Sequence, residues 1–419
     1  MFTAFRRQRL LFHWGARLME MYLQFGYGMM EHCRALIADW RGGTAVMSPR
    51  DLTHDQLLRL AEDVHKLPGG KVLLDPQFYL PHADHERLCQ HDYWPKSYST
   101  SAFWQGTALN DLLTKLLKYN IDLGTEAFIL PGLLADTIDD DWLAIQESIL
   151  SEARNVAPDQ TLYQTIALSA DTGRDPDQIA LLLERAEKWE VEGYYIVCEH
   201  PTGSYLVDDP NWLANVLDLT AGFRLHGSKV IIGYCNHQML VAASAKATAI
   251  CSGTWMNVRS FPPDKFRTNY DEEIKQRATW YYAPPILSEY KLPFLDIAHR
   301  LKLLHLLQPS KELANSFSAP LFSGTQPSTV GFTEQSAFRH YLHCLRLQCH
   351  VASVATFDET TTAHEDLLNA AETVHKSVSA AGIRGQLRDF GDIFDVNRAA
   401  LALLASTRGP MLRRKWTTL

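Results

Sequence analysis

This chain of 419 residues lacks several sequence motifs that would assign it directly to a class of protein. Its seven cysteines show neither CxxC nor CxC spacing, so the sequence indicates neither a disulfide framework nor a typical zinc site. It contains no GxGxxG sequence, no P-loop and no GxSxG turn, so dinucleotide binding, P-loop phosphate binding and the common serine-hydrolase arrangement find no support. We therefore expect neither a metal nor a cofactor.

Positive charge and long apolar runs are also scarce. Lysine and arginine number 40 against 48 acidic residues, a net charge of −8, which argues against a surface built to coat nucleic-acid backbones. Short basic clusters at 6–9 and 413–415 leave a local nucleic-acid contact open, although a solvated terminal surface is the simpler interpretation. Residues 2–30 carry several charges and no small-residue cleavage site, so we predict no signal peptide or membrane span and expect a reducing cytoplasmic location.

What the chain does contain is a series of short apolar runs, each ending in polar residues. The runs lie near 44–48, 71–75, 126–130, 161–169, 193–199, 229–235, 247–252 and 279–283. Helical stretches separate them, and this alternation is typical of a parallel sheet covered by helices. We predict an α/β fold, a TIM-type (β/α)8 barrel with a helical N-terminal lead-in and a helical C-terminal region; an open α/β sheet is the alternative.

The same pattern divides the chain into three parts. Residues 1–43 are predicted as a helical segment, 44–290 as the barrel and 291–419 as a helical region that packs on the barrel or on a partner. A polar, aromatic insertion at 82–100 follows the second predicted strand and is interpreted as a lid, a binding loop or a brace. The helical parts offer docking surfaces, so we expect a protein partner or a homo-oligomer.

Alternation of side chains along the predicted strands suggests which polar residues share a pocket. If the strand ends face the barrel lumen, Asp75, Glu199 and Asn236 lie on one side. Two carboxylates in a partly closed apolar site can hold different pKa values and act as acid and base. The structural alternative is that each carboxylate caps a neighbouring helix or pairs with Arg50 or Arg259.

The same alternation predicts that three cysteines point away from the lumen. Cys198, Cys235 and Cys251 are predicted to face the helices, where a packing role is favoured over a three-thiolate metal site. His237 opens a short helical segment. It is interpreted as a helix cap, with a role as ligand or base as the alternative.

The run 252–259 has the highest density of residues with functional chemistry. Trp255 could stack on a planar group, Arg259 could pair with a phosphate or carboxylate, and Ser252 begins the turn. Loops that follow the last two strands of such barrels commonly bind phosphate. The alternative is that Trp255 closes the barrel mouth and Arg259 fixes the next loop.

Two turns carry a family resemblance. Asp75-Pro76-Gln77-Phe78 after an early strand, and the Cys-Ser-Gly-Thr-Trp turn at 251–255, resemble the tRNA-guanine transglycosylase superfamily of TIM barrels. The resemblance implies a nucleobase-like substrate and a base-recognising or acid–base role for Asp75. That family has a nucleophilic aspartate where this chain has Cys251 and Ser252, and a cysteine zinc site that this chain lacks, so its covalent base exchange is not implied.

These observations favour a barrel enzyme that acts on a nucleobase- or nucleotide-like substrate. Acid–base work is assigned to Asp75 and Glu199. Substrate binding is assigned to Arg50, Gln77, Asn236, His237, Ser252, Trp255 and Arg259. The alternatives are a non-catalytic barrel subunit of a protein or nucleic-acid complex, and a metal-dependent hydrolase that uses the scattered histidines and carboxylates.

Overall fold

A curled parallel sheet forms the body of the protein in the computed structural model, which describes residues 18–80, 82–96, 104–268 and 278–419. Its strands are β1 (Glu20–Gln24), β2 (Gly43–Met47), β3 (Gly70–Leu74), β4 (Phe128–Ile129), β5 (Leu134–Ala135), β6 (Leu162–Leu168), β7 (Gly193–Cys198), β8 (Lys229–Ile232) and β9 (Ala249–Ser252). The order is β3-β2-β1-β9-β8-β7-β6-β4, with β5 also on β6, and every pair is parallel.

The two ends of this sheet come together. The amide of Glu126, just before β4, donates a hydrogen bond of 3.1 Å to the carbonyl of Val72 in β3. Because the short strands β4 and β5 pair with successive parts of β6, they together occupy one strand position. The sheet is therefore a TIM-type barrel of eight strand positions, as the sequence predicts.

Helices cover the barrel and extend beyond it. They are α1 (Met29–Trp40), α2 (His54–His65), α3 (Glu86–Cys89), α4 (Gly106–Leu123), α5 (Asp140–Val156), α6 (Ala170–Arg174), α7 (Pro176–Ala186), α8 (Pro210–Leu225), α9 (Leu292–Arg300), α10 (Glu334–Ala352), α11 (Phe357–Ala380), α12 (Phe394–Thr407) and α13 (Gly409–Lys415). In the described ranges, no helix is both long enough and apolar enough to cross a membrane.

The starts of these helices follow the local sequence. Thr53 and Gln56 form a capping box at α2, in which each side chain accepts a hydrogen bond from the other residue's amide. Asp175 and Asp209 cap α7 and α8 ahead of a proline. Proline suits the first helical position because its missing N–H would have no partner there.

Two sequence predictions about the barrel are wrong. Strand β1 lies inside the segment 1–43 that was predicted to be helical, so the barrel begins before residue 44; residues 1–17 of that segment lie outside the described residues. β1 is inserted between β9 and β2, and its outward side chains Met21 and Leu23 are fully buried. The strand reads Glu-Met-Tyr-Leu-Gln and alternates polar with apolar residues, but a run of five residues is too short to stand out from the helical pattern around it.

The second error concerns the predicted strand at 279–283. It forms β10 (Trp280–Ala283), which pairs antiparallel with β11 (Ser288–Lys291) in a separate two-stranded sheet. The short connection through Pro284–Ile286 places a local partner beside β10, so it does not join the barrel. Strand β1 occupies the remaining barrel position instead.

The insertion after β3 packs down on the barrel where it is described. The Trp94 ring lies 4.7 Å from that of Phe78, and His91 Nε2 lies 2.9 Å from the carbonyl oxygen of Pro49. These contacts agree with the brace interpretation for 82–96; residues 97–100 lie outside the described residues.

Gly233, directly after β8, provides a test of how tightly the lumen is packed. A methyl group at this position would lie 2.5 Å from the Tyr195 hydroxyl oxygen and 2.9 Å from a methyl carbon of Val197. We expect Gly233→Ala to lower the free energy of unfolding by about 2 kcal/mol through overpacking, measured by urea denaturation. In a Tyr195→Phe background the same change should cost clearly less, and equal costs in both backgrounds would contradict this packing.

Candidate functional site

The register of the strands identifies the side chains that face the lumen. Gln24, Val46 and Leu73 are neighbours across β1, β2 and β3 and therefore share one face. The Tyr195 hydroxyl lies 3.1 Å from Gln24 Oε1 and crosses the barrel to reach it. Asp75 follows Leu73 by two residues, so its side chain enters the same lumen, as predicted.

Asp75 is the centre of a hydrogen-bonded cluster at the C-terminal ends of the strands. Its Oδ1 accepts from the Tyr79 hydroxyl at 2.7 Å and from the Gln77 amide at 3.0 Å. Its Oδ2 accepts from the hydroxyls of Tyr234 at 2.7 Å and Tyr195 at 3.2 Å. All five residues are buried. We call them the Asp75 cluster.

Burial and charge act on this carboxyl in opposite directions. Burial raises the pKa of Asp75; the hydrogen bonds from Tyr79, Tyr234 and the Gln77 amide, and the positive charge of Lys265, oppose the rise without cancelling it. Burial and the nearby carboxylate raise the pKa of Tyr79 and of Tyr234 well above 10. The phenols therefore keep their protons and act as donors.

Two members of the Asp75 cluster have a left-handed backbone, which is rare outside glycine. The φ angle is 54° at Gln77 and 56° at Tyr234. At Tyr234 this conformation interrupts the alternation that follows β8 and aims the ring at Asp75. Gln77 is held by Ser48, whose Oγ lies 2.8 Å from Gln77 Nε2, and by the Arg50 amide at 2.8 Å. Strain of this kind is concentrated at functional sites.

Aromatic rings and one lysine surround the Asp75 cluster. The Phe261 ring lies 5.0 Å from that of Tyr79 and 5.2 Å from that of Tyr234. Lys265 is buried, with its Nζ 3.8 Å from the centre of the Tyr234 ring and 2.7 Å from the Asn257 carbonyl oxygen. A carboxyl, three phenols and an ammonium group thus lie together in an apolar enclosure. This set can hold or transfer a proton and stabilise either charge.

Glu199 and Asn236 do not join this cluster. Glu199 is half-buried, and its Oε2 accepts a hydrogen bond of 3.0 Å from the Ala170 amide at the start of α6. Asn236 accepts from the Gln238 amide at 2.8 Å and donates to the Tyr205 carbonyl at 2.6 Å. Both residues cap helical segments, which was the structural alternative for the carboxylate. Burial raises the pKa of Glu199, and three nearby aspartates add to the rise.

Arg259 belongs to a second polar group, beside β9 and the β10–β11 hairpin. Its Nη1 lies 3.3 Å from both carboxylate oxygens of Glu289, and its Nε donates to the Gly253 carbonyl at 2.7 Å. Arg388 and Tyr205 also donate to Glu289, both at 2.7 Å. Burial opposes ionisation of Glu289, but the positive charges of Arg388 and Arg259 lower its pKa to about 2.

The remaining predicted binding residues are spread around these two groups. Arg50 donates through Nε to the Lys265 carbonyl at 2.7 Å and so supports the segment that carries that lysine. Trp255 donates to the Tyr27 carbonyl at 3.1 Å, and its ring packs on Phe338 at 5.0 Å. Trp255 therefore ties the turn to the chain outside the barrel and does not stack over the Asp75 cluster.

The predicted phase is reversed at β9. Cys251 pairs in register with Tyr22, on the lumen face, whereas Ser252 pairs with Leu23 on the helical face. The prediction that Ser252 faces the lumen and Cys251 the helices is therefore wrong. Polarity at the end of β9 favours Ser252 as the lumen residue. The true phase follows from the pairing of β9 with β1, and the apolar-run pattern does not indicate β1 as a strand.

Sequence reasoning also missed the tyrosines of the Asp75 cluster and Lys265 beside it. The available signal was a tyrosine inside one strand, at 195, and one within five residues after each of two others, at 79 and 234. Within the described ranges, no three histidine, cysteine or acidic side chains lie close enough to hold a metal ion.

Comparisons with known proteins give only distant structural matches. No family model and no curated protein matches the chain. Matching solved structures include a protein from Burkholderia cenocepacia J2315 assigned provisionally as a lyase/mutase (14% identity, TM-score 0.33, 56% of this chain and 76% of that chain). A GH10 xylanase of Thermobacillus composti matches at 11% identity and TM-score 0.36, over 58% of this chain and 88% of that one.

A third matching structure is the carboxyl transferase domain of pyruvate carboxylase from Rhizobium etli. It has 11% identity and a TM-score of 0.36, over 93% of this chain and 60% of that one. Identities and scores this low carry no argument about activity. The chain is an α/β protein with a TIM-type barrel, and its site must be argued from its own residues.

Proposed function

We propose that this protein is a barrel enzyme that carries out acid–base chemistry at Asp75 on a planar, nucleobase-like substrate. The observation that carries the proposal is the Asp75 cluster. A buried carboxyl receives hydrogen bonds from the phenols of Tyr79 and Tyr234, and the Tyr195 hydroxyl, shared with Gln24, lies 3.2 Å away. The group lies at the end of the barrel where such folds place their catalytic residues.

The cost of building this cluster supports a functional role. Burying a carboxyl and an ammonium group is expensive, and apolar side chains of similar volume often stabilise a fold at least as well. Gln77 and Tyr234 also hold unfavourable backbone angles beside Asp75. A core built for stability alone would need neither the charges nor the strain.

The Asp75 cluster and the residues around it have separate chemical roles. Asp75 exchanges the proton, since its raised pKa brings its protonated form closer to neutral pH. The tyrosines fix the orientation of the carboxyl, and Lys265 stabilises negative charge that develops beside it. Flat aromatic walls such as Phe261 suit a planar substrate. The resemblance of the turn at 75–78 to a base-recognising turn supports the same substrate class.

The predicted second acid–base role of Glu199 stays a prediction. Glu199 directly follows β7, the strand that carries Tyr195, and the pKa of its side chain is raised, so a substrate larger than one base could contact both carboxyls. A protein partner, a homo-oligomer and local nucleic-acid binding also stay predictions.

The second candidate function is a non-catalytic barrel subunit. It is favoured by the closure of the Asp75 cluster, in which Asp75, Gln77 and Tyr79 are each at most 1% exposed. Native mass spectrometry of complexes isolated from the source cells distinguishes the enzyme from the non-catalytic subunit. A stoichiometric protein partner on a barrel that carries no small molecule would favour the subunit.

The proposal itself is tested with free guanine, adenine, cytosine and uracil and their nucleosides as probes, by isothermal titration. We expect saturable binding of at least one probe, weakened at least about tenfold in Asp75→Asn through loss of one charge-assisted hydrogen bond. Asp139→Asn is the matched control, because asparagine caps α5 as well as the aspartate that accepts from the Trp142 amide. No binding by any probe, or equal binding by Asp75→Asn, would refute the proposal.

A further inference from the structure

The hydroxyl of Tyr195 lies between two acceptors in the barrel lumen. Tyr195 belongs to β7, and its Oη lies 3.1 Å from Oε1 of Gln24, the last residue of β1, and 3.2 Å from Oδ2 of Asp75. All three residues are fully buried. A phenol carries one hydrogen, so it forms a full hydrogen bond to one acceptor at a time. An ionised Asp75 attracts that hydrogen, and a protonated Asp75 leaves it to Gln24.

A protonated Asp75 needs an acceptor for its own proton. Its Oδ1 already accepts two hydrogen bonds, so the proton is best placed on Oδ2. Of the two hydroxyls beside Oδ2, that of Tyr234 already accepts a hydrogen bond of 3.1 Å from Gln77 Nε2. The Tyr195 hydroxyl can accept from Oδ2 and pass its own hydrogen to Gln24 Oε1. Tyr195 is therefore the better acceptor of the acid proton.

The Gln24 amide can match either direction of the Tyr195 hydroxyl. It carries an acceptor, Oε1, and a donor, Nε2, at the end of one rotatable bond. Oε1 faces Tyr195, which is the arrangement that suits a protonated Asp75. Among the described residues no other group is a partner of Nε2, so turning the amide breaks no second hydrogen bond. Nε2 then donates to Tyr195 while that hydroxyl donates to the carboxylate.

The groups around Asp75 that can titrate or carry charge come from several strands and loops. They are Tyr79, Tyr93, Tyr195, Tyr234, Cys251 and Lys265. Burial, as the largest cause, raises the pKa of each of these tyrosines well above 10 and that of Cys251 well above 9. The phenols and the thiol therefore keep their protons at neutral pH, and Lys265 supplies a positive charge that favours the carboxylate.

We propose that Gln24 is a positioning residue for proton exchange at Asp75 and acts through the Tyr195 hydroxyl. With Oε1 towards Tyr195, the amide accepts the phenol hydrogen and lets Tyr195 accept from the protonated acid. When Asp75 gives its proton to a substrate, the Tyr195 hydrogen turns to Oδ2 and the amide follows with Nε2. This role rests on the proposed function, because the step that Gln24 serves is the proton exchange at Asp75.

A titration of the Asp75 carboxyl from pH 5.5 to 9 tests this role without any substrate. It is followed by carbon-13 NMR of the full chain labelled at the aspartate carboxyl carbon, and Asp75→Asn identifies the signal. In Gln24→Met the Tyr195 hydrogen keeps the carboxylate as its acceptor, so the ionised form is favoured. The midpoint should fall by about one pH unit, the loss of one neutral hydrogen bond from the acid form. Gln24→Leu is a second apolar variant and should shift the midpoint in the same direction.

Two further variants separate this role from a general effect on packing. In a Tyr195→Phe background, Gln24→Met should no longer move the midpoint, because the effect passes through the Tyr195 hydroxyl. The matched control is Gln146→Met. Gln146 is also a buried glutamine, but it belongs to α5 and pairs with Gln164, so its loss should leave the Asp75 titration as in the wild type.

Three results would overturn the role of Gln24. They are an Asp75 carboxyl that is ionised from pH 5.5 to 9 in the wild type, the same titration in the wild type and both Gln24 variants, and an equal shift in the Tyr195→Phe background. The proposed function is judged separately by the binding of free bases. Base binding with an unshifted titration overturns the role of Gln24 alone, and a shifted titration without base binding refutes the base substrate alone.

Discussion

Lowering the pH from 7 to 4 is expected to unfold this protein cooperatively. Four histidines, His200, His237, His340 and His364, lie in the interior, and burial lowers the pKa of each to about 4. Each therefore stays neutral in the folded protein at a pH where an exposed histidine already carries a proton. The unfolded chain gains protons that the folded chain cannot accept.

The sign of the effect follows from proton linkage. Between pH 6.5 and 4 the unfolded state binds more protons than the folded state, so the free energy of unfolding falls as the pH falls. At pH 4 each buried histidine contributes a loss of roughly 3 kcal/mol, since one pKa unit corresponds to about 1.4 kcal/mol. Four such losses are comparable to the whole stability of a typical domain, about 5–15 kcal/mol. We expect the loss to be measurable by pH 5.5.

Urea denaturation at pH 7.5, 6.5, 5.5 and 5.0 measures this dependence. His364→Leu should reduce the slope of the free energy of unfolding against pH by the contribution of about one proton. The His364 Nε2 atom has no hydrogen-bond partner among the described residues, and leucine suits a buried position. His305→Gln, at an exposed position, should leave the dependence unchanged. A free energy of unfolding that stays constant from pH 7.5 to 5.0 would contradict the burial of these side chains in neutral form.

The parts of the fold that could be predicted are those with local causes. The run at 193–198 is apolar on both faces and flanked by turn residues, and it forms β7. Asp175 and Asp209 each precede a proline and cap the starts of α7 and α8. These signals lie within a few residues of one another, so one sequence is enough to read them.

The parts that were missed depend on distant partners. The short runs at 20–24 and 280–283 both form strands, and only the partner strands decide which one enters the barrel. Tyr195 and Tyr234 meet Asp75 across 120 and 159 residues of sequence. The left-handed turn at Tyr234 also reverses the side-chain alternation, and the sequence gives no sign of it because such a turn usually needs glycine or asparagine. The candidate site could therefore be predicted only at Asp75 and Gln77.

Replacing Asp75 by alanine is expected to be among the most destabilising truncations in this chain. The change removes the acceptor of the Tyr79 and Tyr234 hydroxyls and of the Gln77 amide, and all three donors would remain buried. Each unsatisfied donor costs about 1–3 kcal/mol, so we expect the free energy of unfolding to fall by roughly 4 kcal/mol. Urea denaturation at pH 7.5 measures it, with Asp139→Ala, the loss of one exposed helix cap, expected to cost only about 1 kcal/mol.

Asp75→Asn separates the contribution of the Asp75 side chain to stability from its acid–base chemistry. The amide keeps the volume and one acceptor, so we expect a cost of about 1–2 kcal/mol at pH 7.5. The folded-state pKa of Asp75 is raised, so its contribution to stability is complete below the unfolded pKa near 4 and is lost as the pH rises through the folded pKa. The asparagine variant does not titrate. Its free energy of unfolding should therefore fall further below that of the wild type at pH 5.5 than at pH 8.

A difference in the free energy of unfolding that grows with pH would mean that the Asp75 carboxylate stabilises the fold and that the phenols and Lys265 form a structural network. A difference in the free energy of unfolding that shrinks as the pH rises, together with loss of nucleobase binding in Asp75→Asn, would mean that the Asp75 carboxyl costs stability and serves the site.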